Sequence, residues 1–280
     1  MNDNLRCLTE CCKRRGIEFR ILHESGNLLE VRLDTRSVMF ANWSTPLNPH
    51  SIARLCLDKE YAFRYFRQWA PMPHTVGFLD PRISTEYRGY LRQPNRTAIL
   101  KAIQRLFDYP VVLKRNAGSR GEHVYLCENR TRVKKALAEI FRQGRKGYDY
   151  VAIAQDYVAI SHEYRVISYR GEVAFAYRKT GGASGRDGNI SPLHTEGGRA
   201  DLLEDSKELR SLSAFLRRLH QRSLLNYGGI DVVRDREGNL CLLEVNSAPS
   251  FTYFIRDNGE ERVLALYDRM LEDLASVGFP

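Results

Sequence analysis

The segment GGIDVVRDREGNLCLLEVN (residues 228–246) has two apolar runs that flank a polar turn containing glycine. This pattern predicts a β-hairpin that turns near residues 237–239. Side chains alternate along a strand, so Glu244 and Asn246 share one face, and Asp231 on the first strand can lie opposite them. Three oxygen ligands at one place suit the hard cation Mg²⁺. The alternative is a solvated acidic strand pair, but the apolar flanks argue against it because a buried carboxylate needs a partner.

A second hairpin is predicted at PVVLKRNAGSRGEHV (residues 110–124), where Lys114 ends an apolar strand before a glycine-containing loop. A lysine at this position can neutralise a phosphate as a point charge. The flexible backbone around Gly118 and Gly121 lets amide groups approach phosphate oxygens. The alternative is an ordinary surface hairpin with an extended lysine. The loop is not a P-loop, since it lacks the Lys-Ser or Lys-Thr pair and does not begin a helix.

The segment AQDYVAISHEYRV (residues 154–166) is an apolar strand that continues into a polar linker. Backbone groups at Tyr157 and Val158 can bind the edge of an adenine ring, and Glu163 can accept hydrogen bonds from ribose hydroxyls.

The remaining chain alternates between amphipathic helices and short strands. Helices are predicted over residues 5–15, 51–69, 97–107, 132–142, 209–221 and 262–276. Strands are predicted near residues 17–23, 28–34, 37–43, 74–80 and 150–158, and as a hairpin over 163–180 that turns at Arg170 and Gly171. The glycine-rich segment 181–198 is predicted to be a long loop of the kind that serves as a lid.

Length and composition indicate an ordinary folded protein. A chain of 280 residues predicts about two domains or one large composite domain. With 43% hydrophobic and 28% charged residues, the composition excludes disordered and fibrous classes. No apolar run approaches the roughly 20 residues that span a bilayer, and the N-terminus has no signal-peptide pattern. We therefore expect a cytoplasmic protein without a membrane partner.

The cysteines and the net charge are less specific. The six cysteines lack the paired spacings of a disulfide framework, so reduced thiols are expected. Cys7, Cys11 and Cys12 could ligate a metal with His23, but neighbouring cysteines on an amphipathic helix are more often core residues. The net charge of +9 suits nucleotides, acidic substrates or nucleic acid. The scattered arginines disfavour nucleic acid.

Taken in chain order, these elements resemble the ATP-grasp superfamily, and more narrowly its ribosomal-protein-glutamate ligases, glutathione synthetases and cyanophycin synthetases. The segment DKEYAFRYFRQWAPMPHT (residues 58–75) is similar to the connecting helix of that branch. Residues 110–124 are similar to its flap hairpin, residues 154–166 to its adenine hinge, and residues 228–246 to its metal hairpin. The resemblance covers about residues 50–255 and implies an α+β fold of the ATP-grasp type, in which two α+β lobes sandwich the nucleotide. The implied division is a short N-terminal α/β region with a hairpin at 1–57, a small lobe with the phosphate flap at 58–155, and a large lobe with the metal hairpin at 156–280.

The resemblance also implies the site residues. The nucleotide would contact Lys59, Lys114, Gly118, Ser119, Arg120, Gly121, Gln155, Asp156, Tyr157, Val158 and Glu163. Two Mg²⁺, for which Mn²⁺ is a chemically acceptable substitute, would be held by Asp231, Glu244 and Asn246, with Glu244 bridging. Arg165 and Arg178 would face the γ-phosphate and the acyl-phosphate. Three features depart from the family pattern: Ser250 replaces a usual glycine, Asp156 replaces a common glutamate, and the loop before His194 matches poorly.

The implied activity is ligation of a carboxylate, from an amino acid or peptide, to an amine through an acyl-phosphate, with release of ADP and phosphate. One alternative is an ATP-grasp kinase or nucleotide-binding regulator that does not ligate, which Ser250 permits. The other is a nucleic-acid-binding module. A homodimer is compatible with the architecture.

Overall fold

The computed structural model describes residues 1–34, 36–118, 122–181, 193 and 196–276. This part of the chain forms the predicted α+β fold, with three antiparallel sheets. The helices are α1 (Asp3–Arg14), α2 (His50–Cys56), α3 (Lys59–Phe66), a 3₁₀ helix (Thr85–Tyr90), α4 (Arg96–Leu106), α5 (Arg130–Ile140), α6 (Ser206–Arg222), α7 (Thr252–Asn258) and α8 (Glu261–Ser276). The strands are β1 (Phe19–Ile21), β2 (Leu28–Leu33), β3 (Arg36–Ala41), β4 (Thr75–Leu79), β5 (Val111–Arg115), β6 (Val124–Cys127), β7 (Val151–Asp156), β8 (Ile160–Tyr169), β9 (Glu172–Thr180), β10 (Arg199–Leu202), β11 (Tyr227–Asp235) and β12 (Leu240–Asn246).

Each sheet is built around a predicted hairpin. The large sheet has the strand order β10-β9-β8-β11-β12, and the small sheet has the order β4-β7-β5-β6. The N-terminal sheet has the order β1-β2-β3. The hairpins β5–β6, β8–β9 and β11–β12 all pair as the sequence predicts.

Buried apolar side chains form three cores. The first core joins α1, the N-terminal sheet, α7 and α8 to one face of the large sheet. The second core packs α2, α3 and α6 against the other face of the large sheet. The third core lies between the small sheet and the helices α4 and α5. Helix α3, which the sequence assigns to the small lobe, therefore contributes its apolar side chains to the core of the large sheet. The three predicted domains remain a prediction.

The helix predicted over residues 51–69 is interrupted at Leu57 and Asp58. Asp58 has an extended backbone and caps α3, because its Oδ1 accepts a hydrogen bond from the Tyr61 amide at 2.8 Å. An N-cap aspartate satisfies an amide that would otherwise lack a partner in the first helical turn. The periodicity of the apolar residues continues across the break, which is why the sequence pattern alone suggests one helix.

Three short elements were not predicted from the sequence: the 3₁₀ helix, β10 and α7. Strand β10 is an edge strand of four residues that pairs with β9. Its register is supported by α7, since Asp257 accepts a hydrogen bond from the Ala200 amide at 2.8 Å. Short segments of this kind are fixed by tertiary contacts and carry little local signal.

The N-terminal helix is connected directly to the turn that follows β12. Asn4 is 1% exposed and donates from Nδ2 to the Pro249 carbonyl at 2.9 Å. Its Oδ1 accepts a hydrogen bond from the Phe251 amide at 3.0 Å. The first residues of the chain therefore hold the turn in which Ser250 replaces the expected glycine.

All six cysteines are free thiols, and all except the half-buried Cys241 are buried. Cys7, Cys11 and Cys12 lie in the core between α1 and α8. No group of three His, Cys, Asp or Glu side chains in the described residues could hold a metal. Among the helices of this part of the chain, none is long and apolar enough to cross a membrane.

Candidate active site

A cavity lies between the small sheet and the large sheet, and it brings together most of the predicted site residues. Those that line it are Lys59, Lys114, Gly118, Gln155, Asp156, Tyr157, Val158, Glu163, Arg165, Asp231, Glu244 and Asn246. Ser119, Arg120 and Gly121 lie outside the described residues. So does most of the predicted lid, although Leu193 is buried against the same cavity.

The predicted metal ligands lie together on β11 and β12. Asp231 and Glu244 are direct cross-strand partners, and Gly229 faces Asn246 two positions away. This register depends on a β-bulge, because Val232 pairs with Leu242 and leaves Leu243 without a partner. In a regular ladder without the bulge, Leu243 would lie opposite Asp231, and the Glu244 side chain would point to the other face.

The donor set fits Mg²⁺. This ion characteristically uses one or two carboxylates and completes its octahedron with phosphate oxygens and water. Asp231 and Glu244 supply the carboxylates, and the Asn246 Oδ1 is held in place by a hydrogen bond from the Ala248 amide at 2.9 Å. These three side chains could therefore hold the ion.

A network of charges surrounds Asp231. Arg165 forms a two-pronged pair with its carboxylate, at 2.5 Å from Nε to Oδ1 and 2.9 Å from Nη2 to Oδ2. The Lys179 amine lies 2.8 Å from Asp231 Oδ1 and 2.6 Å from Glu163 Oε1. Burial alone would raise the pKa of Asp231, but Arg165 and Lys179 outweigh it and hold this pKa below the usual value.

Lys179 was not predicted as a site residue, whereas its neighbour Arg178 was. The structure places Arg178 on the opposite face of the large sheet, where its guanidinium lies 5.8 Å from the centre of the Tyr164 ring. We therefore correct the placement of Arg178 at the reacting phosphate. Lys179 occupies the cavity face instead and is 6% exposed.

Lys179 faces the cavity in place of Arg178 because the hairpin β8–β9 contains a second β-bulge. Ser168 pairs with Val173 and Ile167 pairs with Phe175, so Ala174 has no partner. A shift of one residue moves every following side chain to the other face of a strand. Beyond the bulge, Glu163 faces Lys179 rather than Arg178.

Arg165 lies across the backbone of β11, and a glycine makes room for it. A Cβ at Gly229 would come within 2.9 Å of both Cδ and Nη1 of Arg165. It would also come within 3.0 Å of the Pro249 Cβ. Any larger residue at this position would displace the arginine from Asp231 or the turn after β12.

Lys59 is the first residue of α3 and reaches the same cavity. Its amine lies 3.2 Å from Glu244 Oε1 and donates to the Gly118 carbonyl at 2.5 Å. The helix end is fixed by a buried contact, since Asn116 donates from Nδ2 to Asp58 Oδ2 at 2.6 Å. Asn116 in turn accepts from the Glu60 amide at 3.1 Å. Lys59 is thus tied both to the metal hairpin and to the start of the flap.

Lys114 lies on β5 and is 9% exposed. Its amine donates to Gln155 Oε1 at 2.9 Å, and Gln155 donates from Nε2 to the Thr75 hydroxyl at 2.8 Å. Burial, together with the nearby positive charge of Lys59, lowers the pKa of Lys114 to about 8. This buried lysine has no carboxylate within salt-bridge distance in the described residues, so it can accept an anionic ligand.

The hinge between the sheets is formed by Asp156, Tyr157 and Val158, where β7 ends. Asp156 accepts a weak hydrogen bond from the His74 amide at 3.3 Å. Tyr157 is 43% exposed. Backbone groups of this segment border the cavity and can bind the edge of a flat heterocycle.

Comparison with protein families matches residues 82–267 to the RimK-like ATP-grasp domain, which is more than half of the chain. This chain belongs to the RimK-like ATP-grasp family. A search of curated protein sequences finds no significant match.

Three solved structures share this RimK-like ATP-grasp fold. A bifunctional glutathione synthetase from Pasteurella multocida has 14% identity and a TM-score of 0.59, covering 97% of this chain and 43% of its own. The D-cycloserine synthetase DcsG has 20% identity and a TM-score of 0.53, covering 80% of this chain and 73% of its own. The ATP-grasp ligase PsnB, complexed with minimal precursor, Mg and ADP, has 17% identity and a TM-score of 0.50, covering 80% of this chain and 60% of its own. The chain thus spans less than half the length of the glutathione synthetase.

Proposed function

We propose that this RimK-like protein is an ATP- and Mg²⁺-dependent ligase that joins the carboxylate of an amino acid or peptide to an amine. One observation carries the proposal. Two buried cations, two partly buried cations and three side chains with oxygen ligands face one another in the cavity between the two sheets. The cations are Lys59, Lys114, Arg165 and Lys179, and the oxygen ligands are those of Asp231, Glu244 and Asn246.

The cavity suits a nucleoside triphosphate. The hinge at Asp156–Val158 would hold the base, while Lys59 and Lys114 would neutralise phosphates as point charges. Glu163 already pairs with Lys179 at 2.6 Å, so a ribose hydroxyl would share that carboxylate. The PsnB structure, solved with Mg and ADP, is consistent with a nucleotide in this fold.

When bound by Asp231, Glu244 and Asn246, Mg²⁺ supplies charge neutralisation at the phosphate oxygens. The chain itself would position Arg165 and Lys179 toward the transferring phosphoryl group. Both cations now pair with Asp231, and both are oriented before any ligand arrives. Such preorganised charges stabilise a transition state without reorganisation during the reaction.

The proposed reaction has two steps. A carboxylate oxygen of the substrate bonds to the γ-phosphorus while the bond from that phosphorus to ADP breaks, and ADP leaves with the electron pair. An amine then attacks the acyl carbon, and phosphate leaves with the electron pair of the acyl–oxygen bond while the amine loses a proton. Neither step requires a covalent intermediate on the protein.

The substrate class is proposed from the same arrangement. The four cations face three carboxylates, those of Glu163, Asp231 and Glu244, and this excess of one positive charge favours an anionic carboxylate substrate. The similarity to PsnB, which is described with a minimal precursor, and to the two synthetases supports amino acids and peptides as the proposed substrates of this chain.

The deciding experiment measures phosphate release from Mg-ATP against pooled amino acids and dipeptides. We expect release that requires both a carboxylate and an amine and that falls at least about a hundred-fold in Glu244→Gln, since the variant removes a charged metal ligand. Nucleotide binding without amine-dependent release would instead support the non-ligating alternative. Salt-dependent oligonucleotide binding without any ATP binding would support the nucleic-acid module.

A further inference from the structure

A second, larger cavity lies on the other side of α3. Its volume is about 1020 Å³, and its floor is formed by Gly77 and Leu79 of β4 with Val151 of β7. One wall is the first half of α3, and the facing wall is the segment from Ile83 to Gln93. Residues 143–150 close one end. None of the groups in the proposed reaction lines it, so that reaction gives this cavity no role.

The rim of this cavity is rich in exposed tyrosines. Tyr61, Tyr87, Tyr90 and Tyr150 are 61%, 48%, 72% and 54% exposed, respectively. They are four of the six exposed tyrosines among the described residues. Tyrosine combines a large, rigid apolar surface with a hydroxyl group and loses little conformational entropy on binding, and for these reasons it is enriched where proteins bind other chains.

The segment 58–156, which supplies the whole lining of this cavity, is basic, although the lining side chains themselves are balanced at two carboxylates and two guanidinium groups. Residues 58–156 contain 19 Lys and Arg against 10 Asp and Glu, which accounts for the whole excess of +9 in the chain. Three exposed arginines at or beside the cavity, Arg88, Arg92 and Arg145, have no carboxylate partner in the described residues. The two acidic residues on the α3 wall are already engaged. Glu60 pairs with Arg64 at 2.8 Å, and Asp58 accepts hydrogen bonds from Asn116 and the Tyr61 amide.

We propose that this cavity binds an acidic peptide segment that carries an apolar or aromatic residue. The apolar residue would enter between the tyrosines, above Leu79 and Ile83, and the carboxylates would lie against Arg88, Arg92 and Arg145. A peptide fits better than a nucleic acid because Glu60, Asp58 and two glutamines line the interior. These groups can hydrogen-bond the neutral backbone amides of a peptide whose carboxylates stay at the rim, whereas every nucleotide carries a backbone phosphate that would lie close to the two carboxylates.

The site is tied to the nucleotide cavity by one residue. Asn116 lines the second cavity, and its side chain fixes the first turn of α3, from which Lys59 enters the first cavity. The proposal is a binding event that needs neither ATP nor turnover, so it stands independently of the ligase reaction.

The test is fluorescence anisotropy with a labelled peptide in which two phenylalanines are flanked by glutamates, measured without ATP. Two double variants alter exposed rim residues, Tyr87→Ala with Tyr90→Ala and Arg88→Glu with Arg92→Glu. Each should weaken binding at least about ten-fold, as expected for aromatic and arginine anchors. The matched control, Arg217→Glu with Arg218→Glu on the exposed face of α6, should change it less than about two-fold. A peptide with lysine in place of glutamate should not bind.

Three results would overturn the proposal. The first is unchanged binding in both rim variants. The second is loss of binding in Arg165→Ala, which would place the peptide in the nucleotide cavity. The third is tighter binding of a labelled ten-nucleotide oligothymidylate that the same rim variants abolish, which would assign the surface to single-stranded nucleic acid.

Discussion

Lys114 and Lys179 are both buried amines in one cavity, yet their surroundings shift their pKa values in opposite directions. Burial would lower the pKa of Lys179, but Asp231 and Glu163 outweigh it and raise this pKa. Among the described residues Lys114 has only the Gln155 amide as a partner, so burial and Lys59 lower its pKa to about 8. One lysine is thus neutralised by the protein, while the other remains available to neutralise a ligand.

Lys114 should make nucleotide affinity depend on pH. Below about pH 8 its amine is protonated and can pair with a phosphate, and above that pH it becomes neutral. The affinity of the free enzyme for ATP should therefore fall as the pH rises through about 8, by roughly ten-fold for one charged hydrogen bond. Titration calorimetry with Mg-ATP between pH 7 and 9.5 measures it. Lys114→Arg should remove the decrease because guanidinium stays charged, and an identical decrease in that variant would contradict the assignment.

Substitutions of Lys179 and Arg178 test directly which of these two side chains faces the cavity. Lys179→Ala should reduce phosphate release by about a hundred-fold or more, as removal of a preorganised charge does. Arg178→Ala should change turnover less than about three-fold and lower the free energy of unfolding by about 1 kcal/mol, through loss of its contact with Tyr164.

Both effects are measured on one pair of purified variants, by phosphate release and by urea unfolding. Lys179→Arg serves as the charge-preserving control. A larger loss of turnover in Arg178→Ala than in Lys179→Ala would restore the placement that the sequence suggests.

Among the secondary-structure elements, two β-bulges and the N-terminus of α3 determine which side chains face the cavity. The bulges at Ala174 and Leu243 decide which side chains of β9 and β12 face the cavity. The cap at Asp58 starts α3 at the point that places Lys59 between the flap and the metal hairpin. Bulges commonly occur beside active sites because they redirect a single side chain while the sheet continues.

The capped N-terminus of α3 predicts that Asp58→Ala lowers both stability and nucleotide affinity. The change removes the cap of α3, worth about 1 kcal/mol, and leaves the buried Asn116 amide without its partner, worth about 1–3 kcal/mol. We expect a loss of stability of about 2–4 kcal/mol together with weaker nucleotide binding, because Lys59 loses its fixed position.

The matched control is Asp205→Ala, which removes the cap of α6 in the large lobe. It should cost about 1 kcal/mol without changing nucleotide affinity. Urea unfolding and calorimetric titration with Mg-ATP distinguish the two variants. Equal nucleotide affinity in both would show that the α3 cap does not position Lys59.

The bulges also explain what the sequence could and could not predict. The hairpins follow from local alternation and from turn residues such as Gly238, whereas the register that places Glu244 opposite Asp231 depends on the bulge at Leu243. The sequence does not predict which side chains of β9 face the cavity. A regular hairpin from the turn at Arg170 would place Arg178 beside Glu163, but the extra residue Ala174 shifts the register and places Lys179 there. The break at Asp58 was also missed, although aspartate is a typical cap, since the apolar period continues through it. Tertiary packing, which the local sequence does not encode, decides both.

For the whole molecule, the N-terminal region does not form a separate core. Leu8 of α1 and Tyr267 of α8 belong to the same buried cluster as Phe175 of the large sheet. Asn4 extends this connection to the turn that follows the metal hairpin. The first helix is therefore part of the scaffold of the site.

A single shared core predicts that the N-terminal region and the large lobe unfold together. Leu8→Ala should lower the free energy of unfolding by about 2–5 kcal/mol, because it creates a cavity at a fully buried position. The exposed Leu224→Ala should change it by less than about 0.5 kcal/mol. Calorimetry should show the transition of this core shifted as a unit in Leu8→Ala. A separate low-temperature transition confined to the N-terminal region would contradict the shared core.

Each of the three cores contains at least one buried thiol, whose alkylation rate can report how often that core opens. Cys7, Cys11 and Cys12 lie in the first core, Cys56 in the second and Cys127 in the third. Burial raises the pKa of the thiols, to about 11 for Cys127 and about 12 for Cys56, so they react only when their core opens. Timed alkylation followed by mass spectrometry would therefore rank the opening rates of the three cores in the unmodified protein, with the half-buried Cys241 marking the fast limit.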